Sequence, residues 1–382
     1  MKGEKGEAMK RFGFLVVVFG LLISVLVSAC AAPKETAPVA PQKPGTTTPT
    51  PSAPQLTAEQ QLMEAAKKEG EVSFWTHTWA APGNAFETAW KAKYPGIKLI
   101  VWEASTASEA IARMSEEAKV GRRSVDVVIF PDVDITSAIT GGLLQEYEWP
   151  NTRGWDHQPN SKIIRNIDTQ GRAPVYNTKV VTLAESPKTY NDLKDAKWAG
   201  KAMISTSGRD TPIATAYIFG EGGNLDWDKS FAYWREVVAK AKPRIVTGYT
   251  EPLGSLAAGE VGLFMWVSLK STIQLIWKGA PLGIAALEKT PASNTSIGIV
   301  KNAPHPNAAR LLADFFTSSE GALAHSETVV AMVFDPVAAQ KAKVGAELKR
   351  WGVTLVPLPP ELMTAENNIK AVDFWTKDLL RR

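Results

Sequence analysis

The sequence predicts an α/β protein with two lobes, each a mostly parallel sheet flanked by helices. From residue 57 to residue 131, short apolar strands alternate with amphipathic helices in units of βα length. After Ala173-Pro174-Val175-Tyr176-Asn177, which reads as an extended crossing segment, the alternation starts again. Of the 382 residues about 325 remain once an apolar leader and a Pro-rich stretch are set aside, enough for two sizeable cores.

Taken in order, Thr57-Ala58-Glu59-Gln60 has capping-box spacing, so a helix is predicted from Leu56 to Lys68 with Gly70 as its stop. Val72 to Trp75 and Ile97 to Trp102 read as strands, with a helix from Phe86 to Tyr94 between them that ends at Pro95-Gly96. Thr106 followed by Glu109 caps a helix to Lys119, and Val125 to Phe130 is a strand apolar on both faces apart from Asp126. Beyond the crossing segment, strands are predicted at Lys201 to Ser205, Val261 to Val267, Pro281 to Leu287 and Ser296 to Val300. Helices are predicted at Pro212 to Phe219, Phe231 to Lys242, Leu253 to Ala258, Ala308 to Phe316, Gly321 to His325 and Thr364 to Leu380. No repeat of fixed period is present.

The N-terminus has a different character. Lys10 and Arg11 precede an apolar run from Phe12 to Val27, and Val27-Ser28-Ala29 leads into Cys30, the only cysteine. The run is short for a spanning helix, which needs about 20 apolar residues. This segment resembles the lipobox of bacterial lipoproteins, which implies cleavage before Cys30 and a diacylglyceryl group on its thiol. An uncleaved anchor is the alternative, and translation could begin at Met1 or Met9. Residues 30–56 are rich in Pro and Thr and too poor in large apolar groups to pack, so they read as a tether. In extended form at about 3.1 Å per residue it reaches roughly 80 Å.

Charged residues make up 21% and the formal charge is +4, of which residues 1–29 account for half, so nothing suggests a nucleic-acid partner. With Cys30 lipidated no thiol remains for a disulfide or a cysteine-zinc site, and His77, His157, His305 and His325 show no metal-ligand spacing. No cofactor and no resident metal are expected.

The order and spacing of several short pieces resemble an extracellular solute-binding protein of a bacterial ABC importer, in the branch that includes ferric-iron-binding proteins. The pieces include Gly70-Glu71-Val72, Val125-Asp126-Val127-Val128, Gly141-Gly142-Leu143-Leu144 and Val175-Tyr176-Asn177-Thr178. Trp198-Ala199-Gly200-Lys201, Ala258-Gly259-Glu260 and Ala303-Pro304-His305-Pro306 continue the match. The resemblance implies the two-lobe periplasmic-binding-protein fold, type II-like, with a ligand cleft that closes by hinge motion, and delivery of the closed form to a membrane permease. The lobes expected are residues 57–172 with 282–330, and 173–281 with 331–382.

In such sheets the ligand sits beyond the carboxyl ends of the strands. That rule selects Thr76, His77 and Trp79 after the first strand, Ser105 and Thr106 after the second, and Asp132 after the third. From the other lobe it selects Ser207, Arg209 and Thr211, and then Trp266 and Ser268. Thr211-Pro212 has N-cap and first-turn character; with Arg209 beside it and Ser105-Thr106 opposite, the helix starts suit an anionic or zwitterionic ligand. Ordinary capping and a solvated arginine is the competing reading. Trp79 and Trp266 suit stacking on a ring or an organic cation, or else belong to the core. The resemblance also places His77 near a histidine ligand of the iron-binding relatives, and Asp132 near their acidic one.

The sequence departs from that branch after Gly259-Glu260. Iron-binding relatives carry two adjacent tyrosines about ten residues on, whereas Ser268, Leu269 and Lys270 stand there here. Ferric iron is therefore the alternative ligand and not the first. A secreted hydrolase is the rival from another class, yet no Gly-x-Ser-x-Gly is present; a surface adhesin on the same fold is a third reading. The reading preferred is a monomeric, non-enzymatic substrate-binding subunit, extracytoplasmic and lipid-anchored to the cell membrane through Cys30, that captures a small solute for an ABC permease.

Overall fold

The computed structural model describes residues 56–159, 161–208 and 210–380. The leader, Cys30, the tether and Arg209 lie outside the described residues.

Local sequence signals set the first elements. In α1 (Ala58–Glu69) both hydrogen bonds of the Thr57/Gln60 capping box form, and Gly70 closes the helix at φ 78°, a conformation open to glycine at little cost. β1 (Glu71–Thr76), α2 (Ala85–Lys93), β2 (Lys98–Glu103) and α3 (Ala107–Lys119) follow, with Thr106 accepting from the Glu109 N–H at the start of α3. β3 (Val127–Pro131) runs directly into α4 (Asp132–Thr140), a helix the sequence pattern did not announce because no side chain caps it.

β4 (Ile164–Asn177) extends the predicted crossing segment to 14 residues. The second half holds β5 (Ala202–Ser205), α5 (Thr211–Phe219), α6 (Trp227–Ala241), β6 (Arg244–Val246), α7 (Thr250–Ala258) and β7 (Leu263–Ser268). It continues with α8 (Leu269–Trp277) and β8 (Leu282–Ile284). The chain returns through β9 (Thr290–Ile299), α9 (Pro306–Thr317), α10 (Ser319–Val329), β10 (Met332–Val333), α11 (Pro336–Lys341), α12 (Lys343–Trp351) and β11 (Leu355–Pro357). The predicted terminal helix is α13 (Ala365–Asp373), followed by a π-helical turn at Phe374–Leu379.

The strands run in the order β2-β1-β3-β9-β4-β7-β5-β6. Pairing is parallel at the two ends, as predicted for βα units, and antiparallel through β9 and β4 in the middle, where the chain crosses. β4 belongs to both halves. It pairs with β9 down to Gly171–Ala292, then with β7 from Arg172–Ser268 onward. A Cβ on Gly171 would come within 2.5 Å of the Leu355 side chain and 3.0 Å of Leu269, so a larger residue at the handover requires those side chains to shift. β8 pairs with the second half of β4, whereas β10 and β11 pair with β4 and β9 on the first half. These pairings differ from the sequence-based lobes, which put 282–330 in the first and 331–382 in the second.

Each half has its own core. Phe74, Phe86, Trp90, Phe315 and Phe316 fill the first, and Trp198, Trp234, Trp266 and Trp375 the second. Trp234 stands edge-on to both Trp266 and Trp375, at 5.7 Å and 5.1 Å between ring centres. Among the described residues no helix is long and apolar enough to cross a membrane.

Candidate functional site

A cleft of about 610 Å³ opens where β4 passes from one half to the other. Its wall combines strand ends with the middle of the two crossing strands: His77 and Thr78 after β1, Gln170 to Arg172 on β4, Ser293 to Thr295 on β9. Four helices start there, α3 with Thr106 and Ser108, α4 with Pro131 and Asp134, α5 with Asp210, and α8 with Ser268. Only α3 has a side-chain cap; α4, α5 and α8 have none. Helix starts carry partial positive charge, so four around one cleft favour an anion.

Side-chain charge adds to this. Lys270, in the first turn of α8 on the second half, lies close enough to His77 of the first half to act on it electrostatically. Burial pushes the His77 pKa down, and Lys270 pushes it further against the opposing pull of Asp168 and Glu103. The ring is thus held neutral at physiological pH, with Nδ1 buried and without a hydrogen-bond partner. Burial likewise lowers the Lys270 pKa, with Asp168 and Glu103 pulling the other way.

Arg172 is a cation of the wall itself. Its guanidinium pairs with Asp210, and Asp210 also accepts from the Ser293 hydroxyl at 3.1 Å. Burial works against the Arg172 charge, but Asp210 and the Tyr249 phenol more than restore it, so the pKa stands above the ordinary arginine value. A link therefore joins the two halves across the cleft: Asp210 belongs to the second, Ser293 to the first, and Arg172 sits at the handover.

The sequence-predicted residues divide between wall and interior. His77, Ser105, Thr106, Ser207 and Ser268 line the cleft together. Thr106 Oγ1 is engaged as a cap, and Ser207 Oγ accepts from the Gly248 N–H at 3.0 Å. Thr76 is 2% exposed and its hydroxyl bonds within its own turn, to Thr78. Trp79 turns into the first core, edge-on to Phe74 at 4.8 Å, stacked on His325 at 6.0 Å, and donating to Glu87. Trp266 is buried between Trp234 and Tyr190. Trp266 is a core residue because β7 delivers it to the packed face, and Trp79, in the loop after β1, folds back half-buried against the first core.

Thr211 is not the cap of α5. That position falls on Asp210, whose carboxylate is taken by Arg172 and Ser293, and Thr211 lies buried in the first turn with Oγ1 against Gly208. Asp132 stands one layer behind the wall, accepting from Ser296 Oγ at 2.5 Å and from Asn294 Nδ2 at 3.4 Å. Burial raises its pKa to about 6, against the lowering effect of those two hydrogen bonds.

Arg172, Asp210, Ser293, Asn294 and Gln170 were not predicted. The strand-end rule finds residues that follow parallel strands, whereas these lie mid-strand on antiparallel β4 and β9 or in a cap displaced by one residue. Lys270 carried a signal, since it occupies the neighbourhood where the iron-binding branch has tyrosine. Among the described residues no cluster of three or more His, Cys, Asp or Glu could hold a metal ion.

The family described as bacterial extracellular solute-binding protein matches residues 84–344. The chain belongs to that family, and the expectation of an extracellular solute-binding protein holds. Compared with curated proteins, no sequence matches. Among solved structures, iron-bound HitA from Pseudomonas aeruginosa superposes with a TM-score of 0.64 at 18% identity, covering 81% of this chain and 99% of that one. AfuA from Actinobacillus pleuropneumoniae, with fructose-6-phosphate bound, gives 0.62 at 18% identity over 82% and 99%. The substrate-binding protein of an ABC transporter from Agrobacterium tumefaciens gives 0.66 at 15% identity over 81% and 94%. These likenesses establish the periplasmic-binding-protein fold.

Proposed function

We propose that this protein captures a small anionic or zwitterionic solute in the cleft at the β4 handover and presents it to an ABC permease, without catalysis of its own. The observation that carries the reading is the convergence of four helix starts with His77 and Arg172 on one cleft, with Lys270 near enough to act on His77. Donors from both halves meet one ligand, and their combined contacts favour the closed state over the open one. The lobes that move are the half with β1, β2, β3, β9, β10 and β11, and the half with β5 to β8, hinged at Gly171–Arg172. Arg209, next to Asp210 in sequence, remains a candidate ligand for the anion.

The protein acts as a monomer outside the cytoplasm, held by a lipid on Cys30 with residues 31–55 as the tether. Ferric iron is the second reading, supported by the iron-bound HitA likeness and by His77 at the wall. A thermal-shift panel on the full chain in detergent separates the two, using alkyl phosphates, sulfonates, amino acids, polyamines and ferric citrate. A ligand binding only the folded state at 100 times its Kd adds about 2.7 kcal/mol, well within detection. The proposal expects a rise with an anion; a rise with ferric citrate that citrate without iron does not give, or with polyamines alone, overturns it.

A further inference from the structure

Asn294 gives the cleft a requirement that a bare anion does not meet. The residue lines the cleft on β9 and is 2% exposed. Its Nδ2 donates to the Leu358 carbonyl at 2.9 Å and to Asp132 at 3.4 Å, so the amide orientation is fixed: turned over, the oxygen would face two acceptors. Oδ1 is then a buried acceptor, and it has no hydrogen-bond partner within the protein. Buried polar groups left unpaired carry a desolvation cost, and in binding sites they discriminate against ligands that cannot pair with them.

On the cleft wall the nearest neighbours of Asn294 are neutral and polar. Ser293 and Thr295 flank it on β9, and Gln170 and Asn368 stand on the same wall. Of the acidic neighbours, Asp210 is compensated by Arg172, and Asp132 accepts hydrogen bonds from Ser296 and from Asn294 itself. Met363 and Val372 supply an apolar surface beside them. A volume of about 610 Å³ also leaves room for a carbon skeleton beyond an anionic head.

Resting on the anionic reading above, we infer that the ligand is a hydroxylated organic anion, whose head meets the helix starts and Lys270 while a hydroxyl donates to Asn294 Oδ1. Fully ionised phosphate esters and sulfonates offer acceptors only, so the donor must come from the ligand's body. A hydroxyl can both donate to Asn294 Oδ1 and accept from Ser293 or Gln170, a combination that an ammonium group, which only donates, does not offer.

The test is calorimetric titration of the full chain in detergent with matched pairs: glycerol 3-phosphate against propyl phosphate, and hydroxyethyl sulfonate against ethyl sulfonate. Phosphoethanolamine serves as the ammonium counterpart. At least one hydroxylated member should bind ten times or more tighter than its deoxy partner and tighter than phosphoethanolamine. Asn294→Ala should reduce that ratio below three. Because Asn294 also anchors Leu358, the comparison of ligands on the unaltered protein decides the matter if the variant does not fold. Equal affinities within both pairs overturn the hydroxyl requirement and leave the anionic reading standing; preference for phosphoethanolamine overturns it in favour of a zwitterion. Binding of none of these anions overturns both.

Discussion

Asp210, at the start of α5, accepts from Ser293 Oγ across 3.1 Å while pairing with the Arg172 guanidinium. One carboxylate thereby ties the second half to β9 of the first and occupies the cation nearest the handover. An incoming anion must share Arg172 with it. Asp210→Asn keeps the shape and removes the competing charge, so affinity for an anionic ligand should rise about tenfold, the scale of one charged hydrogen bond. Titration calorimetry at constant ionic strength reads this; unchanged or weaker binding would place Arg172 outside the anion's reach.

The buried carboxyl of Asp132 makes stability depend on pH in a defined direction. Its folded pKa of about 6 lies above the ordinary aspartate value of 3.8, so the folded state holds the proton more tightly than the unfolded one. Stability from this group is therefore full at pH 4 and below, falls as pH rises through about 6, and stays lower above. Asp132→Asn, neutral throughout, should be more stable than the unaltered protein by about 2 kcal/mol at pH 8 and equal to it at pH 4. Asp314, also raised to about 6 by burial, contributes equally to both proteins and cancels. Urea unfolding at the two pH values checks this; a variant less stable at pH 8 contradicts it.

What the sequence made legible was local. Thr57 with Gln60 and Thr106 with Glu109 announce helix starts because the cap and its partner are three residues apart, and both caps form as spaced. α4 passed unannounced because Pro131 precedes it with no capping side chain. Within the cleft, His77, Ser105, Ser207 and Ser268 follow strands and so could be found by the strand-end rule, whereas Arg172 and Ser293 reach the same carboxylate, Asp210, through the β4–β9 register. That register depends on residues more than a hundred positions apart. Trp79 and Trp266 show the limit from the other side: a tryptophan near a strand end has one sequence signature whether it faces ligand or core.

His325 and Asp168 form a buried pair, Nε2 to Oδ2 at 2.7 Å, with both residues at or below 2% exposure. His325 also packs against Phe86, Phe316 and Trp79. His325→Leu retains apolar packing but strands the Asp168 carboxylate away from water, which should cost about 3 to 5 kcal/mol of folding stability. Adding Asp168→Leu should recover a large part of that loss. Denaturant unfolding of the single and double variants measures both, and additive losses would mean the two side chains do not interact.

For the membrane anchor, Cys30→Ser should release the protein from the membrane fraction into the medium or the periplasm, provided the leader is still processed, and remove the lipid mass from its N-terminus. Intact-mass spectrometry of both fractions shows this. A Cys30→Ser protein that stays with the membrane would indicate an uncleaved apolar anchor at residues 12–27.

Lys270 is where the account departs most from an iron site, since it places a cation in the neighbourhood that phenolates occupy in the iron-binding branch. The most direct test is a calorimetric titration of the strongest anion from the thermal-shift panel into the unaltered protein and into Lys270→Gln, at low and at high salt. The account predicts one-to-one binding that weakens about tenfold in Lys270→Gln and loses much of its salt dependence there. Binding that ignores both the substitution and the salt, or that strengthens for ferric iron when Lys270 is removed, would contradict it.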